Sequence, residues 1–117
     1  MIQAQALLAS RSVAGSNADN AVSTATVPAI ANQHNYLLGV SADYSATVSA
    51  IKTITVTYTR DGSSTTYIVR WDFSNGAFPF SLPGVLKGDH SSAITVALEA
   101  SGTGGTSGRV YAFYFTS

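Results

Sequence analysis

The stretch IKTITVTYTRDGSSTTYIVRWDF, from Ile51 to Phe73, carries the regular alternation that decides the fold. Apolar and polar residues alternate on both sides of an Asp-Gly turn signal, and most of the apolar residues are β-branched or aromatic. This pattern is typical of two strands joined in a hairpin. The residues expected on its buried face are Ile54, Val56, Tyr58, Tyr67, Val69, Trp71 and Phe73.

The turn between the two strands can be read in two ways. A type II′ loop at Gly62-Ser63 pairs Tyr58 with Tyr67, whereas a type I′ loop at Asp61-Gly62 pairs Tyr58 with Thr65. The two registers differ by two residues, so both keep the same side chains on the buried face. The pattern therefore predicts the buried face and leaves the register open.

Strand patterns continue on both sides of this hairpin. Residues 21–27 alternate weakly and stop at Pro28, as an edge strand does. In the segment 35–44, strict alternation would place Tyr36, Leu38, Val40 and Ala42 together on one face. The remaining strand segments are AITVALEAS (93–101) and RVYAFYFTS (109–117), the second of which is apolar on both faces. About seven short strands predict an all-β fold, a single antiparallel β-sandwich that is Ig-like or jelly-roll-like.

The first twenty residues differ from the rest of the 117-residue chain. They are small and polar, without helical periodicity, and we interpret 1–20 as an extended N-terminal arm preceding a sandwich domain at 21–117. Ordering such an arm costs conformational entropy, so we expect it to lie on a surface of its own domain or of a neighbour. Its large apolar residues, Ile2, Leu7 and Leu8, are candidates for a protein interface.

The composition excludes several classes of function. Six basic and six acidic residues give a net charge of zero, which argues against nucleic-acid binding and against an electrostatic membrane anchor. Only 10% of the residues are charged, so little electrostatic repulsion opposes association, and contacts with neighbouring subunits are expected. No apolar run is long enough to span a bilayer, and the N-terminus has no signal-peptide pattern.

No motif for catalysis, a cofactor or a metal is present. The chain has no cysteine. Its glycine cluster at 102–108 departs from G-x-G-x-x-G and leads into a strand, so we interpret it as a hairpin turn. His34 and His90 lack metal-site spacing and look isolated. We expect no catalytic, cofactor or metal site, and no enzyme.

Aromatic residues offer two candidate surfaces. Tyr111, Phe113 and Phe115 on the last strand are candidates for a protein interface, where aromatics are enriched. A second, glycan-binding surface would use an exposed aromatic cluster around Tyr44, Phe78 and Phe80. Trp71 alternates in phase with the buried face and is expected to pack in the core.

Several segments resemble a group of small β-sandwich proteins encoded among bacteriophage structural genes. The matching positions are His34 to Gly39, the Asp61-Gly62 turn, Leu86-Lys87-Gly88 and the segment from Ala93 to Gly102. The resemblance covers roughly residues 27–110, and its motifs are turn and strand punctuation. It implies no catalytic residues.

The resemblance implies a role in the virion, such as head decoration or a fibre. We therefore expect a capsid decoration or cement protein that is made in the host cytoplasm and binds the assembled head. Its partners would be the major capsid protein or other virion proteins. Proteins of the kind it resembles are often trimeric or dimeric, so we also expect a homo-oligomer, a trimer or a dimer. The alternative is a receptor- or glycan-binding module of a phage tail or fibre.

Overall fold

The computed structural model describes residues 11–15, 18–79, 82 and 84–117. Over these residues the secondary structure is almost entirely β, with one 3₁₀ turn at Phe73–Asn75. The strands are β1 (Arg11–Ala14), β2 (Ala18–Asp19), β3 (Ser23–Val27), β4 (Asn35–Tyr44), β5 (Ile51–Arg60), β6 (Ser63–Asp72), β7 (Leu86–Lys87), β8 (Ile94–Leu98) and β9 (Ser107–Thr116).

The strands form two antiparallel sheets that pack face to face. Sheet A has the order β1-β9-β4-β7, with β2 also pairing with β9, and sheet B has the order β3-β8-β5-β6. The pairs are nested: β5 with β6, β4 with β7, β3 with β8, and β1 with β9. A long hairpin rolled up in this way is a jelly roll. The structure thus confirms the all-β sandwich and selects the jelly roll over the Ig-like alternative.

The core lies between the two sheets and is filled by one face of each strand. Fully buried aliphatic side chains dominate it, and burying each contributes about 1.5–3 kcal/mol. The largest of them are Leu37, Ile54, Ile94, Leu98, Val27, Val40, Val56, Val96 and Val110. The expected edge strand at 21–27 is β3, which lies at one edge of sheet B and ends before Pro28.

The β5–β6 hairpin has the type I′ turn. Tyr58 pairs with Thr65, and Arg60 with Ser63, so the two-residue loop is Asp61-Gly62. Both loop residues have positive φ, 52° at Asp61 and 79° at Gly62, as this turn requires. The prediction for the buried face is confirmed on β5, where Ile54, Val56 and Tyr58 are buried.

The predicted face of β4 is wrong at its first half. The register against β9 shifts between Leu37 and Gly39, so Leu38 is an extra residue, a β-bulge. The bulge reverses the alternation: Leu37 is buried with Val40 and Ala42, while Tyr36 and Leu38 turn outward and are half-exposed. A glycine inside a strand pattern signals such a bulge, and Gly39 is that signal here.

The glycine-rich segment is a turn, but it does not join a hairpin. It connects β8 in sheet B to β9 in sheet A, so the chain crosses from one sheet to the other. Residues from the end of the predicted arm hold it: the Asp19 carboxylate accepts from the Gly105 N–H at 2.8 Å, and the Asn20 side-chain oxygen from the Gly102 N–H at 2.8 Å.

The positive φ at Gly62 predicts that adding one methyl group at this residue destabilises the fold. Gly62→Ala should lower the free energy of unfolding by about 1–2 kcal/mol, because an L-residue is strained at positive φ. Space is not the cause, since a Cβ at Gly62 would meet nothing within 4 Å. Urea unfolding gives the measurement. Gly104→Ala is the matched control, because Gly104 is equally open but has no positive φ; an equal loss in both variants would contradict the assignment.

Candidate interaction surface

The outward face of sheet A carries a group of aromatic side chains, called here the aromatic stripe: Tyr36, Tyr111, Phe113 and Phe115. Along β9 the residues alternate, with Val110, Ala112 and Tyr114 buried against sheet B. The three aromatics between them face the other way and are half-buried. Since β9 lies between β1 and β4, the stripe is in the middle of the sheet.

Strand pairing brings Tyr36 into the stripe, although it lies on β4, far from β9 in the sequence. Tyr36 lies directly opposite Phe115, and the two rings stack with centroids 4.4 Å apart and planes within 4°. The Lys87 ammonium lies 5.7 Å from the Tyr36 ring centroid, a cation–π distance. The bulge at Leu38 causes this contact, because it turns Tyr36 outward, and strict alternation would have buried it.

The outward face of sheet B has the opposite character. One row of directly paired threonines crosses all four of its strands: Thr26, Thr95, Thr57 and Thr66. Sandwich proteins usually present such polar residues outward. The aromatic face of sheet A departs from this rule, and partly exposed aromatic groups of this kind mark protein interaction sites.

The described part of the predicted arm lies along β9. Arg11 to Ala14 pair with Tyr114 to Tyr111, and Ala18 and Asp19 pair with Gly108 and Ser107. Ser12 is directly opposite Phe113, so the arm borders the stripe. Of the candidate interface residues, Tyr111, Phe113 and Phe115 therefore share one surface, while Ile2, Leu7 and Leu8 lie outside the described residues. The boundary at residue 20 stays a prediction.

A charged pair ends the stripe. Arg109 donates to Asp43 Oδ2 at 3.3 Å across the β4–β9 pair. The other carboxylate oxygen, Asp43 Oδ1, is buried and has no hydrogen-bond partner among the residues that the structure describes. Such an atom calls for an explanation, since nearly all buried polar atoms are hydrogen-bonded. Asp43 also lines a cleft of about 370 Å³, whose walls include Tyr44, Phe73 and Ser74.

Tyr44 is not the exposed aromatic that the sequence predicts. Its ring lies over Gly108, where an added Cβ would come within 3.1 Å of it, and meets Phe73 edge-on at 4.9 Å. The Tyr44 hydroxyl donates to the Glu99 carbonyl at 2.6 Å. Burial, and then the Glu99 charge, raise the pKa of Tyr44 to about 12, so the phenol stays neutral.

The structure describes two of the other aromatic residues considered from the sequence, Phe78 and Trp71, and both pack on the core. Phe78 is buried and meets Trp71 edge-on at 5.6 Å, and Phe80 lies outside the described residues. Trp71 is half-buried on the inner face, as its alternation predicts, and its indole N–H donates to the Gly76 carbonyl at 2.9 Å. The exposed cluster of Tyr44, Phe78 and Phe80 is therefore not formed by the two members that the structure describes.

The two histidines are not isolated. Their rings lie 3.9 Å apart, and His34 Nδ1 is 2.8 Å from the Gly88 carbonyl. Asp89, next to His90, accepts from the N–H groups of Asp61 at 3.1 Å and Gly62 at 2.8 Å. This corner holds the tip of the β5–β6 hairpin against the loop that follows β7. Among the described residues, no group of three or more histidine, aspartate or glutamate side chains could hold a metal ion.

Hydrogen bonds lower the pKa of Asp89 below its ordinary value of 3.8. The Gly62 N–H has the largest effect, and the Asp61 N–H and the charges of His34 and His90 add to it. Because the pKa of Asp89 is lower in the folded protein than in the unfolded chain, the ionised carboxylate stabilises the fold. This contribution is present in full at a pH above the ordinary pKa. The contribution is lost as the pH falls through the folded pKa.

Removing this charge should therefore change both stability and its pH dependence. Asp89→Asn is expected to lower the free energy of unfolding at neutral pH and to flatten its fall below about pH 4. Denaturant unfolding over a pH series measures both. Asp61→Asn is the control at neutral pH, because among the described residues the exposed Asp61 side chain makes only an ion pair with Arg60, at 4.0 Å. Equal stabilities of wild type and Asp89→Asn would contradict the assignment.

Comparison with known proteins leaves the family open. No protein-family model matches the sequence, and no curated protein matches it. The resemblance to phage virion proteins therefore stays a prediction from the quoted residues. In the part of the chain that the structure describes, no helix is long and apolar enough to cross a membrane.

Proposed function

We propose that this protein is a virion structural protein, a capsid decoration or cement protein that binds the assembled head through the aromatic stripe. The observation that carries the proposal is the contrast between the two outward faces, one threonine-rich and one aromatic. In this proposal the aromatic stripe contacts the outer surface of the capsid shell, which is formed by the major capsid protein.

Three features support this choice of partner. The jelly roll is used in viral capsid proteins, although a fold alone does not assign a function. Two of the quoted phage-like motifs, His34 to Gly39 and Leu86-Lys87-Gly88, contribute Tyr36 and the Lys87 that lies over its ring. The net charge of zero leaves apolar contact as the main source of affinity.

Decoration needs a surface that acts only on the assembled shell. A protein that binds the assembled state and not the free subunits shifts the equilibrium toward assembly. Stacked rings such as Tyr36 and Phe115 suit this role, because rigid aromatics give contact area at little cost in side-chain entropy. The protein then needs no pocket and no bound cofactor.

The test is co-sedimentation with undecorated capsids. Tyr111→Ala should weaken binding by about 2 kcal/mol, roughly 30-fold, if the residue lies at the centre of the interface. Thr57→Ala on the outward face of sheet B is the matched control and should bind like the wild type. Failure of the wild type to bind capsids, with no copies in virions by mass spectrometry, would overturn the proposal.

A second candidate is a glycan-binding module of a phage tail or fibre. The observation that favours it is the cleft of about 370 Å³ that Asp43 lines, because a carboxylate can accept hydrogen bonds from sugar hydroxyls. Tyr44 and Phe73 line this cleft and supply apolar walls for a sugar ring. Jelly rolls also form lectin domains.

A glycan array separates the two candidates. If the cleft binds a saccharide, Asp43→Ala should abolish binding while Tyr111→Ala retains it. An array without hits, together with capsid binding that survives Asp43→Ala, would reject the glycan-binding function. Asp43 and Tyr111 also line one small pocket together, so Thr57→Ala on sheet B is the control for both variants.

A further inference from the structure

The outer edge of sheet B is formed by a long strand, β6, and no other described strand pairs with it there. In the described part of the chain β6 is ten residues long, whereas the other strands at sheet edges, β1, β2, β3 and β7, have four, two, five and two residues. Proteins usually protect an edge by keeping it short or by placing proline, lysine or a bulge on it. β6 has no proline or lysine, its two charged residues, Arg70 and Asp72, lie at one end, and its register against β5 runs without a shift.

The backbone groups of alternate β6 residues point away from the sheet. The carbonyls of Thr53 and Thr59 on β5 accept from Glu99 and Asp89, on the side away from β6. Backbone groups of alternate residues on a strand point to opposite sides, so those of Ile54, Val56 and Tyr58 form hydrogen bonds with β6. Their partners on β6 are its odd-numbered residues. The even-numbered residues remain for the open edge: Ser64, Thr66, Ile68 and Arg70.

Apolar side chains flank this edge on both faces. Ile68 is 52% exposed on the outward face, although isoleucine is a residue type most often buried. On the inner face, Tyr67 and Val69 are half-buried, in contrast to the fully buried positions of β5 beside them. Both faces would bury these side chains if another strand were added here.

We propose that β6 pairs with β6 of a second copy of this chain, antiparallel and centred on Ile68, so that two B sheets join into one. The pairing is self-complementary, as a two-fold interface requires. It places Ile68 opposite the partner's Ile68 and Thr66 opposite the partner's Arg70. On the inner face Tyr67 meets the partner's Val69, an aromatic–β-branched pair.

Charge and side-chain complementarity favour this register over the two that are centred on Arg70 or on Thr66. Centring the pair on Arg70 instead would place two arginines opposite each other, which is destabilising. Centring it on Thr66 would place Ile68 opposite the partner's Ser64 and leave the two isoleucines apart. The pairing depends on β6 alone, so it does not rest on the proposed function, whose surface is on sheet A.

Single cysteines test the register directly, because the chain has none of its own. Directly opposite residues in an antiparallel pair have Cα atoms about 4.5–5.5 Å apart, within disulfide range. Under oxidation, Ile68→Cys should therefore form a covalent dimer. Thr66→Cys and Arg70→Cys should each remain uncrosslinked alone and crosslink when mixed together.

The association itself is measured by light scattering over a range of protein concentrations. The wild type should approach the mass of two chains, and Ile68→Lys should return it to the mass of one. Val22→Lys is the matched control, since Val22 is 55% exposed but lies beside β3 at the opposite edge. Circular dichroism of Ile68→Lys should match that of the wild type.

Three outcomes would overturn the pairing. A wild type that remains a single chain at every concentration would do so. Self-crosslinking of Thr66→Cys or Arg70→Cys in place of Ile68→Cys would exclude this register. A dimer unaffected by Ile68→Lys but lost on removal of residues 1–10 would assign association to the arm instead.

Discussion

The two-residue turn at Asp61-Gly62 is the constraint around which the fold is organised. It sets the register of β5 against β6, the innermost pair of a chain that is rolled up in nested antiparallel pairs. Its positive φ angles match the right-handed twist of the strands. Asp89 binds both turn amides from the loop after β7, so the innermost pair is also tied to the next one outward.

The roll gives the molecule two unlike outward faces. Threonines on sheet B meet water through their hydroxyls and suit strands through their β-branching. On sheet A the last strand is apolar on both sides, and its inner side is buried in the core. The aromatic stripe is thus a consequence of placing β9 in the middle of a sheet whose outward face no other sheet covers in the described part of the chain. This is the physical basis for proposing it as the docking surface.

Prediction from sequence succeeded where neighbours along the chain decide the outcome, and failed where distant residues do. The buried face of β5 followed from alternation alone, because side chains on a strand point to opposite sides in turn. On β4 the same rule failed, since the bulge at Leu38 adds one residue against β9. Tyr44 was expected in solvent, but its ring lies over Gly108, far away in the sequence.

By itself, the sequence determined the all-β class, the presence of a turn at Asp61-Gly62-Ser63 and the buried face of the central hairpin. These features depend on period-two patterning and on the conformational freedom of glycine. The tertiary structure alone decided which strands pair, and therefore which side chains meet. Tyr36 stacks on Phe115 and His34 lies against His90 only because strand pairing and loop packing bring these segments together. The candidate surface is built from such contacts, whose members are separated by tens of residues and share no local pattern.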